Sequence, residues 1–132
     1  MDDYDFQKVF LKQFAVPDEG KLLSDKISNF QELMMMYHSA IREVTTKLAI
    51  LNDELSLENQ RNPIQTVKSR IKKPKSIFNK LQKLEQEISI EAIRTSLNDV
   101  AGIRVTCSFI DDVYRVAEML IKQDDITVIQ SK

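Results

Sequence analysis

The sequence predicts an α/β or α+β sandwich led by a long helix, and three features of its apolar pattern carry that expectation. Apolar residues recur at alternating steps of four and three from Leu23 to Leu55; the period then drops to two around Val67 and again from Ala101; helical spacing returns after each of these stretches. With 132 residues, 42% hydrophobic and 30% charged, the chain has the balance of a soluble globular protein with a modest core. No apolar run approaches the roughly 20 residues that span a bilayer, and Asp2, Asp3 and Asp5 make the N-terminus acidic where a signal peptide would be basic. A cytoplasmic protein without a membrane partner is expected. Residues 1–60 read as a helical region for packing or oligomerisation, and residues 61–132 as the domain that carries the chemistry.

Phe6, Val9, Phe10 and Phe14 lie at helical spacing and predict a short amphipathic helix over 3–14, stopped by Pro17 and Gly20. Leu23, Ile27, Phe30, Met34, Tyr37, Ile41, Val44, Leu48, Leu51 and Leu55 then form an unbroken heptad stripe, predicting a helix over 21–57. Such a helix would be roughly 55 Å long at 1.5 Å per residue. Part of it is therefore expected to overhang the domain and meet a partner helix, which makes a homo-oligomer the expected assembly.

Val67, Ser69 and Ile71 alternate with Thr66, Lys68, Arg70 and Lys72 in a half-buried strand ended by Pro74. Ser76 is the expected N-cap of a helix whose apolar stripe is Ile77, Leu81, Leu84 and Ile88. A helical turn is expected over 91–97, then a second strand over 101–109, with Asp111 capping a helix that turns Val113, Val116, Ala117, Leu120 and Ile121 inward. Ile126 to Ile129 reads as the start of a third strand.

The net charge of -1 hides a strong segregation. No acidic residue occurs from Asn59 to Leu84, while Arg61, Lys68, Arg70, Lys72, Lys73, Lys75, Lys80 and Lys83 all fall there, so an anionic ligand is expected. Cations on one strand face followed by a helix N-terminus with unpaired N–H groups outline a polyphosphate site. Lys80 lies one turn into that helix, and the guanidinium of Arg70 can fork onto phosphate or stack on a base. Two other readings stay open: the lysines are merely solvated, or they form an RNA surface, although Phe78 is the one aromatic of the segment available for stacking. Triphosphate chemistry also calls for a divalent ion, and Asp99 is the carboxylate best placed to hold it. Strict alternation would set Asp99 and Arg104 on opposite faces unless Gly102 forms a bulge or Asp99 lies outside the ladder. The single cysteine, Cys107, and the single histidine, His38, exclude an internal disulfide and a Cys/His zinc site. Both read as structural residues.

The string R-I-K-K-P-K-S-I-F-N-K, Arg70 to Lys80, followed by N-D-V-A-G-I-R-V, Asn98 to Val105, resembles the synthetase domain of the RelA/SpoT family. The family's R-x-K falls on Arg70 and Lys72, its S-I-x-x-K on Ser76, Ile77 and Lys80, and its D-x-x-x-x-R on Asp99 and Arg104. The long leading helix is similar to that of the small, single-domain alarmone synthetases. The resemblance implies an α+β, nucleotidyltransferase-like mixed sheet with flanking helices, truncated after the third strand. It further implies that Arg70 and Arg104 sandwich the adenine of ATP, that Lys72, Ser76 and Lys80 hold its phosphates, and that Asp99 is the catalytic residue binding Mg2+. The implied reaction is attack of the ribose 3′-hydroxyl of GDP or GTP on the β-phosphorus of ATP, giving ppGpp or pppGpp and AMP in the stringent response. Tetramers are frequent in the family. Its loop with a tyrosine and a histidine, and its later E-V-Q-x-R-T strand, have no counterpart in these 132 residues. The acceptor side is therefore expected to be missing, and the chain alone inactive.

Overall fold

A computed structural model describes residues 20–131. Helix α1, Gly20–Asn59, leads into strand β1, Ile64–Ile71; helices α2, Pro74–Lys83, and α3, Ile90–Ser96, follow, then strand β2, Ala101–Cys107, and helix α4, Ile110–Ile121. The strands pair in one two-stranded sheet. The Lys72 N–H donates to the Val100 carbonyl at 2.7 Å and the Ser108 N–H to the Pro63 carbonyl at 2.9 Å, so numbering rises along one strand as it falls along the other and the pair is antiparallel. The α+β class expected from the sequence holds. The helix expected over 3–14 lies outside the described residues.

Three local expectations are corrected. Residues 126–130 run as irregular chain instead of a third strand; alternation alone makes no strand without a ladder partner, and Ile129 is fully exposed. Ser76 is not the N-cap of α2. That helix opens at Pro74 with Lys73 as cap, because proline's fixed φ and missing N–H suit the first helical position; the sequence signal that ends β1 therefore starts α2 at once. Asp111 likewise does not cap α4. Phe109 is the cap, and the Asp112 carboxylate, in the first turn, accepts its N–H at 3.2 Å.

The chain divides into two compact units that interleave in sequence, Met1–Ser39 with Arg70–Gly102, and Ala40–Ser69 with Ile103–Lys132. In the first, Phe30 and Leu33 of α1 bury against Ile77, Phe78 and Leu81 of α2, Ala92 and Ile93 of α3, and Leu97 and Val100. The rings of Phe30 and Phe78 lie 5.5 Å apart, tilted by 42°, within the range of favourable aromatic pairs. Ser89 caps α3 by accepting the Ala92 N–H at 3.1 Å. With Ile77, Phe78 and Leu81 wholly buried, each contributing about 1.5 to 3 kcal/mol, α2 is anchored by one face and presents the other to solvent.

In the second unit Leu48 and Leu55 of α1, Ile64 of β1 and Val116 of α4 form the core, with Val44, Val67, Ile103, Val105, Cys107, Met119 and Leu120 packed on it. Burial chiefly, and the Asp112 charge secondarily, push the Cys107 thiol above its ordinary pKa, which fits a core residue and not a nucleophile. The turn after α1 is closed by side chains: Asn52 Oδ1 accepts the Ile64 N–H at 3.0 Å, and Asn62 Oδ1 accepts the Ser56 hydroxyl at 2.7 Å. Arg61 forks onto Asp112 at 2.8 and 3.0 Å and lies 4.7 Å over the Phe109 ring. On α4 the expected inward set is only partly met, since Val116 is buried while Val113 and Ile121 are about half exposed.

From Ile27 to Leu55 every position of the heptad stripe is buried or half-buried within the chain. The expected overhang of uncovered stripe residues is therefore not found: both cores draw on α1, and the exposed apolar side chains Met35, Met36, Ile50 and Leu57 lie off the stripe. Leu48→Ala is accordingly expected to lower the unfolding free energy by about 2 to 5 kcal/mol, measured by denaturant titration. A substitution that changed only the association state and not the stability would place Leu48 at an interface.

Candidate functional site

The chemistry-bearing residues of the first unit converge on one carboxylate. Lys72 follows directly on β1, Lys80 lies on the solvent side of α2, and Asp99 sits two residues ahead of β2. Asp99 Oδ2 accepts from Lys72 Nζ at 3.1 Å and from Lys80 Nζ at 2.9 Å. The backbone fixes this meeting, because the Lys72 N–H to Val100 carbonyl bond holds the ends of the two strands together, and buried Ile77, Phe78 and Leu81 hold α2. Since Asp99 precedes the ladder, the alternation rule does not govern its side chain, and Gly102 needs no bulge: it lies within regular β2 without a positive φ.

Arg70 is exposed on β1 in the first unit. Ser76 is exposed on α2, four residues before Lys80 and so on the same helix face. Arg104 belongs to the second unit, on the exposed face of β2 with Gly102 and Thr106. The structure thus joins Lys72, Lys80 and Asp99 by hydrogen bonds, and it sets Arg70 and Ser76 at the surface of the same unit. The Arg61–Asp112 fork was not legible in the sequence, because its partners are 51 residues apart and no local pattern reports their pairing.

The two lysines differ in environment. The Lys72 side chain is 13% exposed, that of Lys80 40%, and that of Asp99 44%. Lys72 has left much of its hydration and needs a counter-charge, whereas the Lys80 contact is of the exposed kind that contributes little to stability. The Lys80 hydrogen bond, and after it that of Lys72, hold the Asp99 carboxyl below the usual carboxylate pKa despite opposing desolvation. At neutral pH the group is an anion with one oxygen engaged by both ammoniums.

Among the described residues no three His, Cys, Asp or Glu side chains cluster as a metal site. Asp99 is the one carboxylate of the lysine cluster. That donor set does not make an all-protein cage, but it fits a magnesium ion held by one carboxylate together with substrate phosphates, the usual manner for this cation. No described helix is long and apolar enough to cross a membrane.

A family model for a region found in RelA / SpoT proteins matches residues 69–132, the stretch that carries Arg70, Lys72, Ser76, Lys80, Asp99 and Arg104. Residues 69–132 are thus a RelA/SpoT-family region. It is 33% identical over 110 residues to the GTP pyrophosphokinase YwaC of Bacillus subtilis (strain 168), covering 83% of this chain and 52% of that protein. Among solved structures, small alarmone synthetase 1 from Bacillus subtilis bound to its product pppGpp is similar with a TM-score of 0.67 and 30% identity, over 80% of this chain and 53% of that one. The same synthetase bound to AMPCPP gives a TM-score of 0.66 at 30% identity, over 80% and 55%. The chain spans about half the length of the curated relatives it matches.

The lowered Asp99 pKa has a definite sign. A carboxylate whose folded pKa is depressed stabilises the fold above its unfolded pKa, and that contribution is lost as pH falls through the folded value. The Asp99 carboxyl resonance is therefore expected to titrate below the ordinary value of about 3.9 and to move upward in Lys80→Ala. A midpoint unchanged by Lys80→Ala would remove the lysine as its cause.

Proposed function

We propose that this region is the ATP-binding part of a GTP pyrophosphokinase, the enzyme that transfers pyrophosphate from ATP to the 3′-hydroxyl of GDP or GTP to make ppGpp or pppGpp. The observation that carries the reading is that two lysines of the segment 59–84, which has no acidic residue, meet on Asp99. It is supported by the similarity to GTP pyrophosphokinases and by the pppGpp and AMPCPP bound in the similar synthetase structures.

In this reading Lys72, Lys80 and Ser76 bind the ATP phosphates and Arg70 stacks on the adenine or forks onto phosphate. Arg104 is the expected second arginine of the adenine site. Asp99 would hold Mg2+, whose chemistry is to neutralise the charge that develops on the transferred group. The protein's own part is to position the polyphosphate and to offer fixed donors, which is the larger share of catalysis in phosphate transfer. Because the acceptor motifs implied by the resemblance have no counterpart in residues 1–132, the transfer is proposed for the complete enzyme and not for this chain alone.

A cytoplasmic location and a homo-oligomer belong to the same proposal. With the α1 stripe used inside the chain, an interface would draw on other apolar positions, and light scattering is the direct check. A non-catalytic nucleotide- or RNA-binding helical module is the alternative class, supported only by the basic character of the segment.

Calorimetry with ATP and magnesium tests the proposal. Arg70→Ala or Lys80→Ala is expected to weaken binding by about 1 to 3 kcal/mol, the range for a hydrogen bond to a charged group, with the fold unchanged by circular dichroism. Equal affinity in both variants would remove these residues from the site.

A further inference from the structure

We propose that Asp99 acts as an internal stand-in for phosphate, holding Lys72 and Lys80 in place while denying them to a metal-free polyphosphate. The inference rests on the reading of those lysines as phosphate ligands. A carboxylate oxygen and a phosphate oxygen ask for the same donors, and here one oxygen, Asp99 Oδ2, takes both ammoniums, at 3.1 and 2.9 Å. The place between the two lysines is thereby filled by an anion belonging to the chain.

Charge counting gives the consequence. Two ammoniums against one carboxylate leave the cluster a single positive charge, so a polyphosphate that approaches must share its donors with a fixed anion and be repelled by it. With a divalent cation on Asp99 the carboxylate would be neutralised and its hold on both lysines weakened, so cation and polyphosphate favour each other's binding. The lysines are released unequally. Lys80, at 40% exposure, can leave Asp99 for a ligand at little cost, whereas Lys72, at 13%, stays beside whichever anion replaces the carboxylate.

Inorganic tripolyphosphate is the probe, titrated into the chain in EDTA and then with magnesium. In EDTA, Asp99→Asn is expected to bind tripolyphosphate about tenfold more tightly than the unsubstituted chain, a like charge beside a bound anion being costly. Asp111→Asn, which makes the same change in net charge away from the cluster, is expected to leave binding unchanged. Magnesium is expected to strengthen binding to the unsubstituted chain and to lose most of that effect in Asp99→Asn. Adding Lys80→Ala to Asp99→Asn should cancel the gain.

Weaker or unchanged metal-free binding in a folded Asp99→Asn chain would overturn the proposal, as would an equal gain in Asp111→Asn. Should Asp99→Asn fail to fold, the Asp99 carboxyl resonance of the unsubstituted chain decides. Saturating tripolyphosphate in EDTA should leave its shift in place if the carboxylate keeps the lysines, and loss of the ion-pair shift under those conditions contradicts the stand-in. Normal binding of ATP with magnesium alongside an inert Asp99→Asn would sink the stand-in and leave the functional reading standing. A tripolyphosphate gain without any ATP binding would do the reverse.

Discussion

The rest of the structure depends on the apolar stripe of α1. One helix without glycine or proline after Gly20 supplies Phe30 and Leu33 to one core and Leu48 and Leu55 to the other. No other described element contributes to both. Each unit is small, and the burial of a handful of large side chains against this helix is what offsets the chain entropy of ordering the short elements around it. Leu81, Phe78 and Ile77 are wholly buried in the first unit because α1 covers them there, and the position of the basic face of α2 follows from that burial.

The candidate site is a by-product of this anchoring. A ten-residue helix with four buried side chains cannot rotate without exposing them, so Lys80 is held outward. The backbone bond from Lys72 to Val100 brings the end of β1 to the start of β2, and Asp99 with it. Electrostatics then decides the resting arrangement. An incompletely solvated Lys72 needs an anion, and Asp99 is the anion the chain itself supplies. Both ammoniums of the cluster are thus compensated by the chain's own carboxylate.

Much of this was legible in the sequence, for identifiable reasons. The α1 stripe and the alternation of β2 are long, regular patterns whose period is set by backbone geometry, and Ile103, Val105 and Cys107 do face the core. The convergence of cations with Asp99 was foreseeable from charge segregation and family motif together. Cap positions were not, because Ser76 and Asp111 both look like caps, yet Pro74 and the Asp112 bond to Phe109 settle where those helices begin. The strand expected over 126–129 failed because strand formation depends on a neighbour that local alternation cannot report. The Arg61–Asp112 fork escaped for the same reason in a different form, being a contact between distant segments. The coverage of the α1 stripe was likewise a tertiary fact, which helix length alone could not supply.

In the proposed reading Lys72, Lys80 and Asp99 form the resting state of a polyphosphate site. A crystal structure of the chain with magnesium and a non-hydrolysable ATP analogue tests it most directly. Phosphate oxygens are expected within hydrogen-bond distance of the Lys72 and Lys80 ammoniums, with the Asp99 carboxylate turned from the lysines toward the metal. An analogue bound elsewhere, with both lysines still on Asp99 Oδ2, would contradict it.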